Sequence, residues 1–232
     1  MNRTVKFWVM GLVLLTTAFS LQSCLNDDDD DWYYDNGANA LVTLKTSSKG
    51  HLLLQLDDST LLYPVNISAS PYGNKEIRAL VRIRDPKDSE LGNGVLSDSL
   101  RNVYVSWMDS VRTKPMARSY GVKNDSIYGN DPLEVLNSWM TVVEDGYLTV
   151  NFRTYFGDGA VHTLNLVKGD SLNVLELHQD AKGDLGGRPG DGIIAFRLDS
   201  LPDTKGKIGT FTLKWKSFDG EKSHQFKYRT RK

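Results

Sequence analysis

Cysteine is nearly absent from this sequence. Cys24 is the single one, so no disulfide joins two parts of the chain and stability has to come from core burial. An excess of one charge is also missing. Lys and Arg number 28 against 29 Asp and Glu, a formal net charge of −1, which gives no general argument for nucleic acid or an acidic polymer as partner. The apolar run Phe7 to Phe19 falls short of the roughly 20 residues a spanning helix needs, and no second long run follows it. Histidines number four, and no HExxH, paired CxxC, GxSxG elbow or P-loop sequence occurs to carry metal, hydrolytic or phosphate chemistry. Internal repeats are not apparent. These absences set the expectation of a non-enzymatic protein with no metal and no cofactor. What is present is ordinary for a globular chain, 40% hydrophobic and 25% charged, enough to build a sizeable core.

The first residues have the three-part layout of an export signal. Arg3 and Lys6 form a basic start, the apolar run follows, and Ser20 and Ser23 lead to a cut site. Leu21-Gln22-Ser23-Cys24 resembles a bacterial lipobox, with leucine three places and a small residue one place before the cysteine. The resemblance implies cleavage before Cys24, which then carries acyl chains. Burial of each methylene contributes about 0.8 kcal/mol, so two or more chains hold where one is marginal. Loss of the leader leaves a formal charge of about −3. Asp27, Asp28, Asp29, Asp30 and Asp31 follow at once. A block of like charges stays solvated and makes a tether. The stretch Asn26 to Asp31 also resembles the acidic signal that sends lipoproteins of some Gram-negative anaerobes to the outer face of the outer membrane. The expected location is therefore the outer membrane, lipid-anchored and cell-surface exposed, with the membrane itself as a partner through Cys24.

From Ala40 on, the pattern is β. Strands are expected over 40–46, 51–56, 60–65, 76–84 and 101–108, with Pro64 ending the third strand or marking an edge. The 76–84 strand is the clearest: Ile77, Ala79, Val81 and Ile83 share one face, and Glu76, Arg78, Arg82 and Arg84 the other. Five short strands with no convincing helix fit a small barrel. Turn chemistry between Tyr120 and Pro132 marks a boundary. Seven further strands are then expected over 135–143, 147–156, 161–168, 172–178, 193–198, 211–216 and 224–228, with Glu144-Asp145-Gly146 as a hairpin turn and 183–192 as a glycine-rich loop. That series fits a two-sheet sandwich. The predicted organisation is all-β: signal peptide 1–23, lipidated acidic tether 24–37, barrel 38–118, linker 119–132 and β-sandwich 133–232.

Arg78, Arg82 and Arg84, with Tyr104 and Trp107 on a later strand, form a candidate ligand face, since aromatics among arginines suit stacked rings. The plainer reading puts Trp107 in the core and leaves the arginines as a solvated face. His162, among leucines, reads as a core residue bonded to a carbonyl. His178 shares a face with Glu176 near Asp180 and Asp184, a conceivable metal corner that lacks metal-ligand spacing. A carboxylate pair for glycoside cleavage has no sequence spacing to detect.

Several stretches together resemble the NigD-like lipoproteins. They are Leu53 to Asp58 with Leu61-Leu62-Tyr63-Pro64, the basic Arg112-Thr113-Lys114-Pro115, and Trp139 with Glu144-Asp145-Gly146-Tyr147-Leu148. Leu175-Glu176-Leu177-His178 and the closing series from Gly209 to Tyr228 complete the set. The resemblance spans the mature chain. It implies an OB-type barrel followed by a β-sandwich, and transfers no functional residue. The founding member's link to a bacteriocin locus invites an immunity role. The expected function is a non-enzymatic binding module for a protein or glycan, with immunity as one alternative and a glycan-binding or hydrolase role as the other.

Overall fold

A computed structural model describes residues 37–91, 100–157 and 159–231. The expected signal peptide, Cys24 and Asp27 to Asp31 lie outside the described residues.

The first domain is a closed five-stranded barrel. Its strands are β1 (Ala40–Thr46), β2 (Leu52–Gln55), β3 (Leu61–Pro64), β4 (Ile77–Arg84) and β5 (Arg101–Ser110), hydrogen-bonded in the order β1-β2-β3-β5-β4. Only the β3–β5 pair is parallel. β3 ends at Pro64, which has no N–H to give, and the next residue, Val65, resumes bonding to the Val103 carbonyl. Inward side chains alternate as the pattern requires: Val42, Leu44, Leu52, Leu54, Leu62, Ala79, Val81, Val103 and Val105 fill the barrel.

The second domain is a sandwich of nine strands where the sequence predicts seven. β6 (Arg112–Pro115), β12 (Arg188–Arg197), β9 (Tyr147–Phe156) and β7 (Glu134–Val135) make one sheet, and β8 (Val142–Glu144) also pairs with β9. β10 (Thr163–Lys168), β11 (Val174–Asp180), β13 (Gly209–Ser217) and β14 (Gly220–Tyr228) make the other. Leu148, Val150, Leu166, Leu175, Phe196, Phe211 and Leu213 pack between them.

Four stretches differ from the sequence reading. The expected 135–143 strand is two short ones, β7 and β8, because the loop between them folds back through Thr141, whose hydroxyl donates to the Leu136 carbonyl. Residues 112–115, expected in the barrel, pair in parallel with Ile194 to Arg197 of β12 and so belong to the sandwich. The stretch 119–132, expected as a linker, contains a helix, α1 (Asn124–Tyr128), entered through a 3-10 turn over Gly121–Lys123. The glycine-rich 183–192 loop is also shorter than expected, since β12 already begins at Arg188. Gly192 pairs with Phe152 within this strand, and glycine suits the position because the Phe152 ring lies 2.4 Å from where a Cβ would be.

The domains meet along one face of β4. Leu41, Leu80 and Val111 pack there against Met140 and Ala195, with Trp107, Val142 and Ile193 half-buried at the edge. The β8–β9 hairpin turn supplies the polar half of the seam. Asp145 (φ +48°) and Gly146 (φ +72°) take the left-handed conformation of a tight hairpin. The buried Asp145 carboxylate accepts from Lys45 Nζ (2.9 Å) and Arg231 Nη2 (2.5 Å), and its N–H donates to Asp58 Oδ1 (2.8 Å). Arg231 also reaches Glu76 on the barrel side, which accepts in turn from the Tyr147 hydroxyl. Burial opposes the charge on Arg231, yet its bonds to Asp145 and Glu76 outweigh that and raise its pKa.

Candidate functional site

The five residues of the predicted ligand face do not stay together. Arg78 is fully buried, a correction to the sequence reading. Its Nη1 donates to Thr43 Oγ1 (3.1 Å) and its Nη2 to Glu144 Oε2 of the sandwich (3.2 Å). The β4 alternation is right, but the second domain covers the outward face at this end. Desolvation lowers the pKa of Arg78 and raises that of Glu144, each against the pull of the other. Trp107 lies in the same seam. Arg82, Arg84 and Tyr104 remain on the far half of the barrel. The Arg82 guanidinium lies against Gly37, which takes a left-handed φ of +71°. Arg84 sits 4.0 Å over the Tyr104 ring and bonds both oxygens of Glu90, at 2.8 and 2.7 Å. Those bonds hold the Glu90 carboxyl down at about 2. Arg101 pairs with Asp85 (2.9 Å). Two of the three cations on this half, Arg84 and Arg101, thus have a local acid or ring as partner.

The other candidates separate as well. His162 is not bonded to a carbonyl: it stacks under Phe156 (4.6 Å between centroids), and its Nε2 lies 3.5 Å from Asp184 Oδ2 without a hydrogen bond. Asp180 bonds to Lys182, and Asp184 accepts from the Gly157 N–H. Among the described residues no group of three or more His, Cys, Asp or Glu side chains is disposed to hold a metal ion.

His178 and Glu176 do come together, on the outer face of the β10–β11–β13–β14 sheet. α1 and its entry turn roof this face and leave a groove of about 420 Å³. The His178 side chain is nearly closed off at 7% exposure. Its Nδ1 lies 3.1 Å from the Gly129 carbonyl oxygen and 3.4 Å from Asp125 Oδ1. Its Nε2 lies 3.5 Å from Glu176 Oε2 and makes no hydrogen bond. Gly129 can bring its carbonyl this close because it has no side chain: φ is +84°, and a Cβ would fall 2.4 Å from the Gln179 carbonyl oxygen. Asp125, Asp170, Glu176 and Glu221 line the groove along with Lys214 and Lys216. Val122 lines it too, and is 96% exposed. Sequence reasoning missed Asp125, Val122 and Gly129, all inside the supposed linker. The available signal was apolar side chains, Val122 and Ile127, set within turn chemistry.

Both domains match one family. Residues 41–111 match the NigD-like N-terminal OB domain, and residues 115–228 the NigD-like C-terminal beta sandwich domain. The chain belongs to the NigD-like family. The step from one match to the next, 111 to 115, spans β6, where the hydrogen bonding changes sheets. Among solved structures, the NigD-like chain is similar to a toxin-related protein from Parabacteroides distasonis. Identity is 31% over 82% of this chain and 92% of that one, with a TM-score of 0.66. An immunity protein from Bacteroides caccae, itself called NigD-like, shares 18% identity over 80% and 89% of the two chains, with a TM-score of 0.53. A lipoprotein from Bacteroides fragilis shares 12% over 83% and 98%, with a TM-score of 0.55. The latter two show the shared fold. No curated protein matches the sequence.

Proposed function

We propose that this NigD-like chain is a lipid-anchored, surface-displayed binding module without a catalytic role, and that the groove under α1 is its contact site. One observation carries the site: His178 is held in a nearly closed position by α1, with Nε2 facing an acceptor and left without a hydrogen bond. Native structures rarely leave a buried polar group unmatched, and in this case the unmatched nitrogen lies beside Glu176 at a groove open to a partner. In this reading Cys24 carries the acyl chains, Asp27 to Asp31 space the domains from the membrane, and the seam holds the two domains as one body. The family's structural neighbour named a lipoprotein supports the anchor.

A photo-cross-linking residue placed at position 122 in the native host tests the site. An adduct from position 122 and none from position 82 is expected; the reverse would move the contact to the barrel. Palmitate labelling of the wild type but not of Cys24→Ala is expected for the anchor.

A second reading, immunity, draws on the neighbours called an immunity protein and a toxin-related protein. In that reading the partner is a toxin. A deletion strain with unchanged bacteriocin sensitivity would remove it.

A further inference from the structure

We propose that the groove takes a primary ammonium group, carried on a lysine side chain of a partner peptide that also presents apolar side chains. The inference rests on the binding-module reading above. A carbonyl oxygen only accepts, so the His178 nitrogen that faces Gly129 is the one that bears the proton. In the neutral ring Nε2 is then a lone pair. Glu176 Oε2, 3.5 Å away, is an acceptor too. No protein group donates to Nε2, and the Glu176 carboxylate beside it lines the groove. An anion would worsen that arrangement. An ammonium group brings three donors and a positive charge.

The rest of the groove agrees in sign. Lys214 is engaged by Glu221 (3.3 Å), and Asp125 accepts from Asn130 Nδ2 (2.9 Å) while its side chain stays 59% exposed. Four carboxylates against two lysines leave the groove acidic. The apolar part of the partner is read from the roof. Val122, at 96% exposure, lines the groove, and Tyr120 and Ile127, each at 47%, belong to the same short segment. Three exposed apolar side chains next to an acidic groove match a peptide of mixed basic and apolar residues. An amino sugar supplies the ammonium group without the apolar side chains.

The test uses the full chain in detergent at pH 8, above the ordinary imidazole range. The probe is the fluorescent heptapeptide KLKLKLK, compared with its fully lysine-acetylated form and with a chitosan tetramer as competitor. Saturable binding of the free-amine peptide is expected. Acetylation, Glu176→Gln and Val122→Lys should each weaken it at least tenfold. Val122 touches no core, so Val122→Lys keeps the test meaningful if a groove variant folds poorly. Equal binding of the acetylated peptide, or undiminished binding by Val122→Lys, would overturn the proposal. So would displacement by the chitosan tetramer as effective as by unlabelled peptide. If the peptide fails to bind while the position-122 cross-link still forms, the ammonium inference falls and the binding-module reading stands. If both fail, both fall.

Discussion

Two polar regions of this molecule differ in how their charges are matched. On the free half of the barrel, Arg84 bonds both oxygens of Glu90 and lies over Tyr104, and Arg101 pairs with Asp85. Under α1, His178 is buried with one nitrogen bonded to Gly129 and the other facing Glu176 unbonded. The first region has more cations and more exposure. In both regions a buried polar atom lacks a bond, Asn102 Oδ1 on β5 and His178 Nε2 under α1, but the second sets that atom beside a carboxylate, Glu176. A partner gains little from charges that already neutralise one another, and more from a group whose burial cost is unrecovered. Residue type and exposure favour the barrel face; bond satisfaction favours the groove.

The largest effect should fall on Arg78, which the sequence pattern places on the barrel face and the structure places in the seam. Arg78→Ala strands Glu144 without its partner and should destabilise the protein by about 3–5 kcal/mol in chemical denaturation. Replacing both members, Arg78→Met with Glu144→Leu, should recover most of that loss. A cost near zero for Arg78→Ala would return the residue to an open face.

Next is His178→Phe, which keeps a ring but removes the bond to Gly129. A loss of about 1–3 kcal/mol is expected, with faster hydrogen exchange across 119–130. Unchanged exchange there would mean that the histidine does not hold the roof. Arg84→Ala, by contrast, should lower the denaturation midpoint only slightly, because the pair with Glu90 is solvent-exposed.

The smallest effect is a titration. Glu90 is held at about 2 by Arg84, below its ordinary 4.5. A depressed carboxyl contributes stability above the unfolded value and loses it as pH falls through the folded one. Carboxyl NMR should therefore show Glu90 ionised down to about pH 2 in the wild type, and shifted back toward the ordinary range in Arg84→Ala. The same midpoint in both would break the assignment of the pair.

Much of the fold was legible because alternation is local. Ile77, Ala79, Val81 and Ile83 mark the inner face of β4, and Asp145-Gly146 marks the hairpin through the positive φ it demands. What alternation does not report is what covers the other face, so Arg78 read as exposed. β6 was missed because Arg112 to Pro115 continues the barrel's last strand, while its partner β12 lies far along the chain. The start of β12 was missed because glycine reads as loop until the Phe152 ring is seen over Gly192. For the site, the His178–Glu176 pair followed from two-residue spacing on one strand. Asp125 and Gly129 did not, since turn-rich sequence was read as a linker and its docking onto β11 is a tertiary fact.

The comparison between the two regions is tested most directly by hydrogen exchange on the full chain with and without saturating KLKLKLK. The account predicts protection over 119–130 and 176–178, with 82–84 and 101–107 unchanged. Protection confined to 82–84 and 101–107 would contradict it.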